Sequence, residues 1–192
     1  MSLPNLITIG RILLVPLTVW LIVTNQFTLA FVTFISAGIS DAVDGFIAKR
    51  YDMVTELGTY LDPIADKALL VSIYVALGLQ DHLPAWLVIL VVSRDVLIVG
   101  GVLLAWVVDR PMLMQPHIVS KFNTAGQIVL AGAVLALLAM EMPGGQVINV
   151  AVWAVAGLTL WSGTVYLIDW ARHVANGVAP DGAGPGGKEK AK

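Results

Sequence analysis

Four aspartates, arranged as two closely spaced pairs, are the residues of this sequence best suited to chemistry. Asp41 and Asp44 are three residues apart, and Asp62 and Asp66 are four apart. On a helix, both spacings place the two carboxylates of a pair on one face. Four converging carboxylates would repel one another, so we expect two hard divalent cations, Mg²⁺ or Mn²⁺, to balance their charge. Two such ions can clamp a phosphoryl group between the attacking and the leaving oxygen.

Small residues accompany these aspartates. Gly45 and Ala48 follow the first pair within a turn, and Gly58 precedes the second pair. Their small side chains leave room for a nucleotide or a diphosphate. The alternative for each aspartate is a structural role, as a helix cap or as the ion-pair partner of a nearby arginine. Four aspartates with small residues between them favour the metal site.

The composition indicates what kind of elements hold these residues. Of the 192 residues, 58% are hydrophobic and 12% are charged, whereas about 25% of the residues of a soluble domain are charged. The sequence therefore predicts an integral membrane protein. The lack of cysteine excludes thiolate sites, three scattered histidines do not suggest a zinc site, and a net charge of −2 argues against a nucleic-acid partner.

Six apolar stretches are long enough to cross a bilayer, which takes about 20 residues. They cover residues 5–24, 27–49, 58–79, 84–108, 118–140 and 147–170, and residues rich in turn formers separate them. We therefore predict an all-α integral membrane domain over residues 1–174, a bundle of six transmembrane helices. Residues 175–192, rich in Gly, Pro and Lys, are predicted to be a disordered tail.

Lysine and arginine are confined to alternate connections, which predicts the orientation of the bundle. Lys49 and Arg50 lie between the second and third spans, Arg110 lies between the fourth and fifth, and Arg172 and the tail lysines follow the sixth. The other connections contain neither residue type. By the positive-inside rule, both termini are predicted to lie in the cytoplasm. Ionisable residues inside spans are costly and suggest a polar pocket; they are Arg11, the four aspartates, Lys67, Arg94, Asp95 and Lys121.

The aspartate segment resembles the signature of the CDP-alcohol phosphatidyltransferases, D-x2-D-G-x2-A-R-x8-G-x3-D-x3-D. The match runs from Asp41 to Asp66 with every spacing kept, and Lys49 stands where the family has arginine. Lysine keeps the positive charge but loses the bidentate fork. The resemblance implies transfer of a phosphatidyl group from CDP-diacylglycerol to an alcohol, with release of CMP. It also implies that the aspartates bind two metal ions, that Asp66 is the general base, and that the CDP site is formed by Gly45, Ala48, Lys49 and Gly58.

The acceptor alcohol is predicted from further resemblances and from the remaining cations. Residues 57–67, Ser93–Val96 and Ser120–Thr124 resemble the branch whose acceptor is phosphatidylglycerol and whose product is cardiolipin. The alternative branch uses glycerol 3-phosphate and usually has a second lysine at the position of Asn123. Phosphatidylglycerol carries one negative phosphate, whereas a phosphomonoester carries about −1.5 to −2, so fewer cations favour phosphatidylglycerol. The candidate acceptor-binding cations are Arg94, Lys121 and Arg11; the alternatives are an ion pair with Asp95 for Arg94 and snorkelling for Lys121.

Two other classes of protein compete with this interpretation. A membrane prenyltransferase also uses two aspartate-rich helices with Mg²⁺, but such proteins have about nine helices. A cation transporter would place its acidic site near the bilayer midplane, whereas these aspartates are predicted near one face. The family resemblance further implies a homodimer, and Gly100, Gly101, Gly126 and Gly132 would permit close helix packing. We expect the protein in a bacterial inner membrane with its site facing the cytoplasm.

Overall fold

The computed structural model describes the backbone of residues 3–50, 56–107 and 118–176, and the side chains of residues 10, 12–43, 67–100 and 118–168. All regular structure in these ranges is α-helical. Six helices follow one another: α1 (Leu3–Val23), α2 (Phe27–Arg50), α3 (Glu56–Leu79), α4 (Ala85–Val107), α5 (Ile118–Ala139) and α6 (Gly145–Asn176). Each of the six predicted spans corresponds to one of these helices.

The sixth helix is longer than its predicted span. It continues to Asn176, past Trp170, and so includes the first two residues of the predicted tail. No glycine or proline occurs between Trp170 and Asn176, and the first glycine is Gly177, so nothing in that stretch ends a helix. The rest of the predicted tail, residues 177–192, lies outside the described residues, as do residues 51–55 and 108–117.

The helices form a closed ring. In order around it, α1 packs on α2, α2 on α5, α5 on α6, α6 on α4, α4 on α3, and α3 again on α1. A smaller contact between α3 and α5 crosses the middle of the ring. Neighbours in the chain are therefore not always neighbours in the bundle: α4 and α5 are separated by α6 on one side and by α3 on the other.

Three short turns close one end of the bundle. Each has a non-glycine residue in the left-handed region: Asn25 (φ 59°), Asp81 (φ 59°) and Glu141 (φ 54°). In each turn the following backbone N–H donates to a carbonyl five residues earlier, as from Gln26 to Leu21. This is the Schellman geometry that satisfies the last carbonyls of a helix.

The first two turns also contact each other directly. The rings of Phe27 and His82 meet edge to face, with centroids 5.2 Å apart, and the Gln80 side chain donates to the Val23 carbonyl. The third turn and the first together line a cavity that includes Asn25 and Glu141. All three turns therefore lie at one end, and the end of α2 at Arg50 and the start of α3 at Glu56 lie toward the opposite end.

The inside and the outside of the ring are both apolar. Buried residues such as Ile73, Leu87 and Leu135 form the core, while many large aliphatic side chains, such as Leu13 and Leu79, are exposed. Two helical segments in the described part of the chain, Ile118–Ala139 and Gly145–Ile168, are long and apolar enough to cross a membrane. Shorter apolar segments occur in α1, α2 and α3.

Of the small residues expected to permit close packing, two lie inside the bundle. A Cβ added at Gly126 would contact Leu158 and Val155 of α6, and one added at Gly132 would come within 3.2 Å of Phe34 of α2. An added Cβ at Gly100 would meet no atom within 4 Å. The surroundings of Gly101 lie outside the described ranges.

Candidate functional site

The two aspartate pairs lie on the two helices that are joined by residues 51–55. Asp41 and Asp44 precede the end of α2, Arg50, by nine and six residues, and Asp62 and Asp66 follow the start of α3 by six and ten. At 1.5 Å per residue, both pairs therefore lie about 9–15 Å from the connected helix ends. The Asp41 side chain is half-buried. The side chains of the other three aspartates lie outside the described ranges.

The remaining residues of the signature are described by their backbone alone. Gly45, Ala48 and Lys49 are in the last two turns of α2, and Gly58 is in the first turn of α3. Arg11 is in α1, which packs against both of these helices. Helices α1, α2 and α3 therefore hold the whole predicted CDP site and one predicted acceptor cation. Among the described side chains no group of three metal-ligating residues occurs, so the metal ligands remain a prediction.

Arg94, a predicted acceptor cation, is buried where α4, α5 and α6 meet. Its exposed fraction is only 3%. One terminal nitrogen, Nη1, donates to Asp95 Oδ1 at 2.6 Å, and the other, Nη2, donates to Ser120 Oγ at 2.7 Å and to Ser162 Oγ at 2.5 Å. The guanidinium carbon also lies 5.7 Å from the centre of the Tyr166 ring. The ion pair foreseen as the alternative role of Arg94 is therefore present within α4, and the bonds from Nη2 to the two serines join α4 to α5 and α6.

A second cation shares the same carboxylate. Lys67 Nζ of α3 lies 3.0 Å from Asp95 Oδ1, the atom that also accepts from Arg94. Lys67 directly follows Asp66 in the sequence, so this pair connects the Arg94 cluster to the helix of the predicted base. Lys121, the third predicted acceptor cation, is exposed in the first turn of α5 beside Ser120.

A buried polar layer lies deeper in the bundle. The Tyr74 hydroxyl of α3 donates to the Gln127 carbonyl at 3.1 Å, and Thr159 Oγ1 of α6 donates to Asn123 Oδ1 at 2.9 Å. The amide nitrogen of Asn123 and both amide atoms of Gln127 are buried and have no hydrogen-bond partner in the part of the chain that is described. Apart from Asn123, these residues were not singled out from the sequence. A lone polar side chain inside an apolar span was the available signal.

A groove opens between α4 and α6 beside Arg94. Its volume is about 550 Å³, and it runs from Leu90 to Gly100 on α4 and from Thr159 to Leu167 on α6. Arg94, Ser93, Thr159, Thr164 and Tyr166 are the polar residues of a wall that is otherwise aliphatic. Arg94, together with Ser162 and Gly163 beside it, lies near the middle of both stretches, so the groove extends about one turn or more to either side of Arg94 along the two helices.

Comparison with known proteins identifies the group to which the chain is related. The sequence model of the CDP-alcohol phosphatidyltransferases matches residues 1–162. A cardiolipin synthase (CMP-forming) of Streptomyces coelicolor is 31% identical over 195 residues, which is 94% of this chain and 88% of that protein. The human cardiolipin synthase (CMP-forming) is 34% identical over 151 residues, or 70% of this chain and 50% of that protein.

A relative from the other branch matches to a similar degree. The chloroplastic CDP-diacylglycerol–glycerol-3-phosphate 3-phosphatidyltransferase 1 of rice is 36% identical over 191 residues, or 88% of this chain and 57% of that protein. The chain thus spans about half the length of the rice and human proteins. Both branches weighed from the sequence are represented among these relatives. With the family pattern matched over 162 residues, this chain belongs to the CDP-alcohol phosphatidyltransferase family.

Proposed function

We propose that this chain is a membrane enzyme that transfers a phosphatidyl group from CDP-diacylglycerol to an alcohol acceptor and releases CMP. The observation that carries the proposal is the family match over residues 1–162. It is supported by the position of the two aspartate pairs at similar distances from the connected ends of α2 and α3.

In this proposal Asp41, Asp44, Asp62 and Asp66 hold two divalent ions, Mg²⁺ or Mn²⁺. Carboxylate oxygens are the ligands that both ions prefer, and four carboxylates match the charge of two divalent cations. Bound there, the ions would supply charge neutralisation for the diphosphate of the donor. Members of the family generally use a divalent metal.

The protein's own residues would bind the donor and move one proton. Gly45, Ala48 and Gly58 leave room for the CDP group, and Lys49 supplies a positive charge toward its diphosphate. Asp66 accepts the proton of the acceptor hydroxyl as that oxygen attacks the β-phosphorus. The new phosphorus–oxygen bond forms while the bond to the CMP oxygen breaks, and CMP leaves with the electron pair.

The acceptor that we propose is phosphatidylglycerol, which makes the product cardiolipin. The Streptomyces relative, which is matched over most of its length, is named as a cardiolipin synthase. Arg94, Lys121 and Arg11 are the proposed acceptor cations. Glycerol 3-phosphate is the second candidate, because the rice relative is named for that acceptor.

An acceptor screen tests this function. Purified full-length protein in vesicles receives labelled CDP-diacylglycerol and, separately, phosphatidylglycerol or glycerol 3-phosphate, and CMP release is measured with and without EDTA. We expect release with phosphatidylglycerol that EDTA abolishes and that Mg²⁺ or Mn²⁺ restores. Release with glycerol 3-phosphate alone would transfer the assignment to the second candidate, and no release with either would refute it.

Asp66→Asn tests the proposed base. The variant should still bind CDP-diacylglycerol but lose about 10²–10⁴-fold in CMP release, the range that a general base contributes. Asp81→Asn is the matched control, since Asp81 is exposed in a turn at the opposite end and asparagine adopts its positive φ readily. Equal activity of the two variants would contradict the role of Asp66.

The membrane arrangement is proposed with the activity. The domain predicted over residues 1–174, extended to the end of α6 at Asn176, would form one bundle of six transmembrane helices followed by a disordered tail, with both termini and the site on the cytoplasmic face of a bacterial inner membrane. The lengths of α1 to α4, between 21 and 24 residues, suit this arrangement. The homodimer implied by the family resemblance belongs to the same proposal.

The lack of native cysteine makes the topology easy to test. A cysteine introduced as Glu141→Cys should react in intact cells with a membrane-impermeant maleimide, whereas Lys192→Cys should react only after the membrane is opened. The opposite pattern would reverse the orientation. Native mass spectrometry of the same purified protein would give the number of subunits.

A further inference from the structure

The groove between α4 and α6 has the shape of a binding site for a lipid chain. Its walls include Leu90, Leu97, Leu160 and Leu167, and the last three are more than half exposed. Within a membrane, lipid hydrocarbon chains would fill such a gap between two helices. Its volume of about 550 Å³ lies in the range of small-molecule sites.

A buried positive charge lies near the middle of this groove. Arg94 lines the groove, and its exposed fraction is only 3%. Its Nε has no hydrogen-bond partner among the described residues. Within the described part of the chain, Arg94 and Lys67 share a single carboxylate, Asp95 Oδ1. Among the described side chains two cations thus share one anion, an arrangement that favours an anionic ligand beside Arg94.

The position of the cluster connects the groove to the proposed reaction. Lys67, the other cation on Asp95, is the residue after Asp66 on α3. An anionic group beside Arg94 would therefore lie near α3, the helix of the proposed base, because Asp95 is paired with both Arg94 and Lys67 of α3. A short polar head group attached to that anion can extend in this direction.

We propose that the α4–α6 groove binds the acceptor lipid, with an acyl chain along the groove and its phosphodiester at Arg94. The inference rests on the proposed function and gives it a second lipid site, separate from the CDP site on α1, α2 and α3. The occupant is a diacyl lipid with one negative phosphodiester, which complements the buried guanidinium of Arg94 beside the apolar walls of the groove. A zwitterionic lipid lacks that complementarity.

Gly163→Leu is the variant that tests the groove. A Cβ at this position would lie 3.7 Å from Arg94 Cγ, an ordinary contact, so the backbone accepts it and the rest of the leucine extends into the groove. Gly100→Leu fills the other wall, where an added Cβ meets nothing within 4 Å. Gly157→Leu is the matched control on α6, also without a contact within 4 Å and outside the groove lining.

The first measurement is binding and does not require turnover. Full-length protein is incubated with equal amounts of phosphatidylglycerol and phosphatidylcholine, and the lipids it retains are counted by native mass spectrometry. We expect wild type and Gly157→Leu to prefer phosphatidylglycerol, and both groove variants to lose that preference. Equal retention of the two lipids by wild type, or unchanged retention by the groove variants, would overturn the proposal.

The second measurement is the KM for each lipid substrate in vesicles. A leucine in the groove takes the place of part of a bound chain, which then loses packing contacts with the groove walls although it stays in hydrocarbon. Gly163→Leu should therefore raise the KM for phosphatidylglycerol by about threefold or more, equivalent to the loss of several such contacts, and leave the KM for CDP-diacylglycerol within about twofold. A similar rise for both substrates would indicate general damage and contradict the site. Arg94→Lys should raise the same KM, since lysine keeps the charge but lacks the guanidinium fork.

The two proposals fail in different ways. If wild type releases no CMP with any acceptor, the proposed function is wrong, while the retention experiment still decides the groove. If wild type uses phosphatidylglycerol but the groove variants retain and use it normally, the function stands and the groove proposal is wrong.

Discussion

Substitution of Asp95 should measure how much its two ion pairs contribute to the stability of the bundle. Its Oδ1 lies 2.6 Å from Arg94 Nη1 and 3.0 Å from Lys67 Nζ. The side chains of Asp95 and Arg94 are 6% and 4% exposed, whereas that of Lys67 is 33% exposed. Asp95→Asn keeps the shape of the side chain and removes only its charge, so both cations lose their partner.

The exposed fractions of Arg94 and Lys67 indicate how much free energy of unfolding each of the two ion pairs of Asp95 contributes. Removing one partner of a buried ion pair costs about 3–5 kcal/mol, because the other charge stays buried. Arg94 keeps its hydrogen bonds to Ser120 and Ser162, so we expect the lower part of that range, about 3 kcal/mol. Lys67 can turn its ammonium group toward solvent, and its pair is worth at most about 1 kcal/mol, as for surface pairs.

Reversible unfolding in mixed micelles, driven by SDS and followed by circular dichroism, measures these differences. Asp95→Asn should lower the free energy of unfolding by about 3 kcal/mol, and Lys67→Met by no more than about 1 kcal/mol. Glu141→Gln, at an exposed carboxylate in a turn, is the control and should stay within about 0.5 kcal/mol of wild type. If Asp95→Asn costs no more than Lys67→Met, the buried Arg94 pair does not carry the stability assigned to it.

Three further substitutions test separate contacts by the same unfolding measurement. Thr159→Val removes the bond to Asn123 and should cost about 1 kcal/mol, typical of a hydrogen bond between membrane helices; no loss would mean that the bond does not form. Glu141→Gly should gain up to about 1 kcal/mol, because glycine adopts the positive φ of 54° without strain, and a loss would contradict that turn. Gly78→Ala should cost about 1–3 kcal/mol, since its Cβ would lie 2.7 Å from Val88 Cγ2; the added change Val88→Ala should recover part of the loss, and no recovery would contradict the contact.

Local features of the fold could be predicted from the sequence. The six helices follow the six apolar stretches, and the turns at Asn25, Asp81 and Glu141 lie where polar residues interrupt them. Such features depend on residues close together in the chain, so one segment suffices to predict them. The overrun of α6 to Asn176 has the same local origin, since the predicted tail was judged by its average composition and its first residues are compatible with a helix.

Contacts between distant segments could not be predicted in this way. Arg94 is bonded to Ser162, 68 residues later, and Thr159 to Asn123, 36 residues earlier. These pairs depend on the order of helices in the ring, in which α4 packs on α6 rather than on α5. Apolar segments of similar composition contain no signal for that order. The sequence did identify Arg94 as costly to bury, and the structure supplies the partners.

The ion pair and the proposed lipid site give Arg94 two roles that depend on each other. The groove separates α4 from α6 on either side of Arg94, along residues 90–100 and 159–167, and within a bilayer the hydrophobic effect does not draw helices together. The bonds from Arg94 to Ser162 and Ser120 join α4 to α6 and α5 beside that gap. The same guanidinium can therefore hold the walls of the groove at a fixed separation and keep an unpartnered Nε for an anion. A structural role for Arg94 is thus no argument against its role in acceptor binding, because the same bonds that join the helices also fix the position of the guanidinium beside the groove.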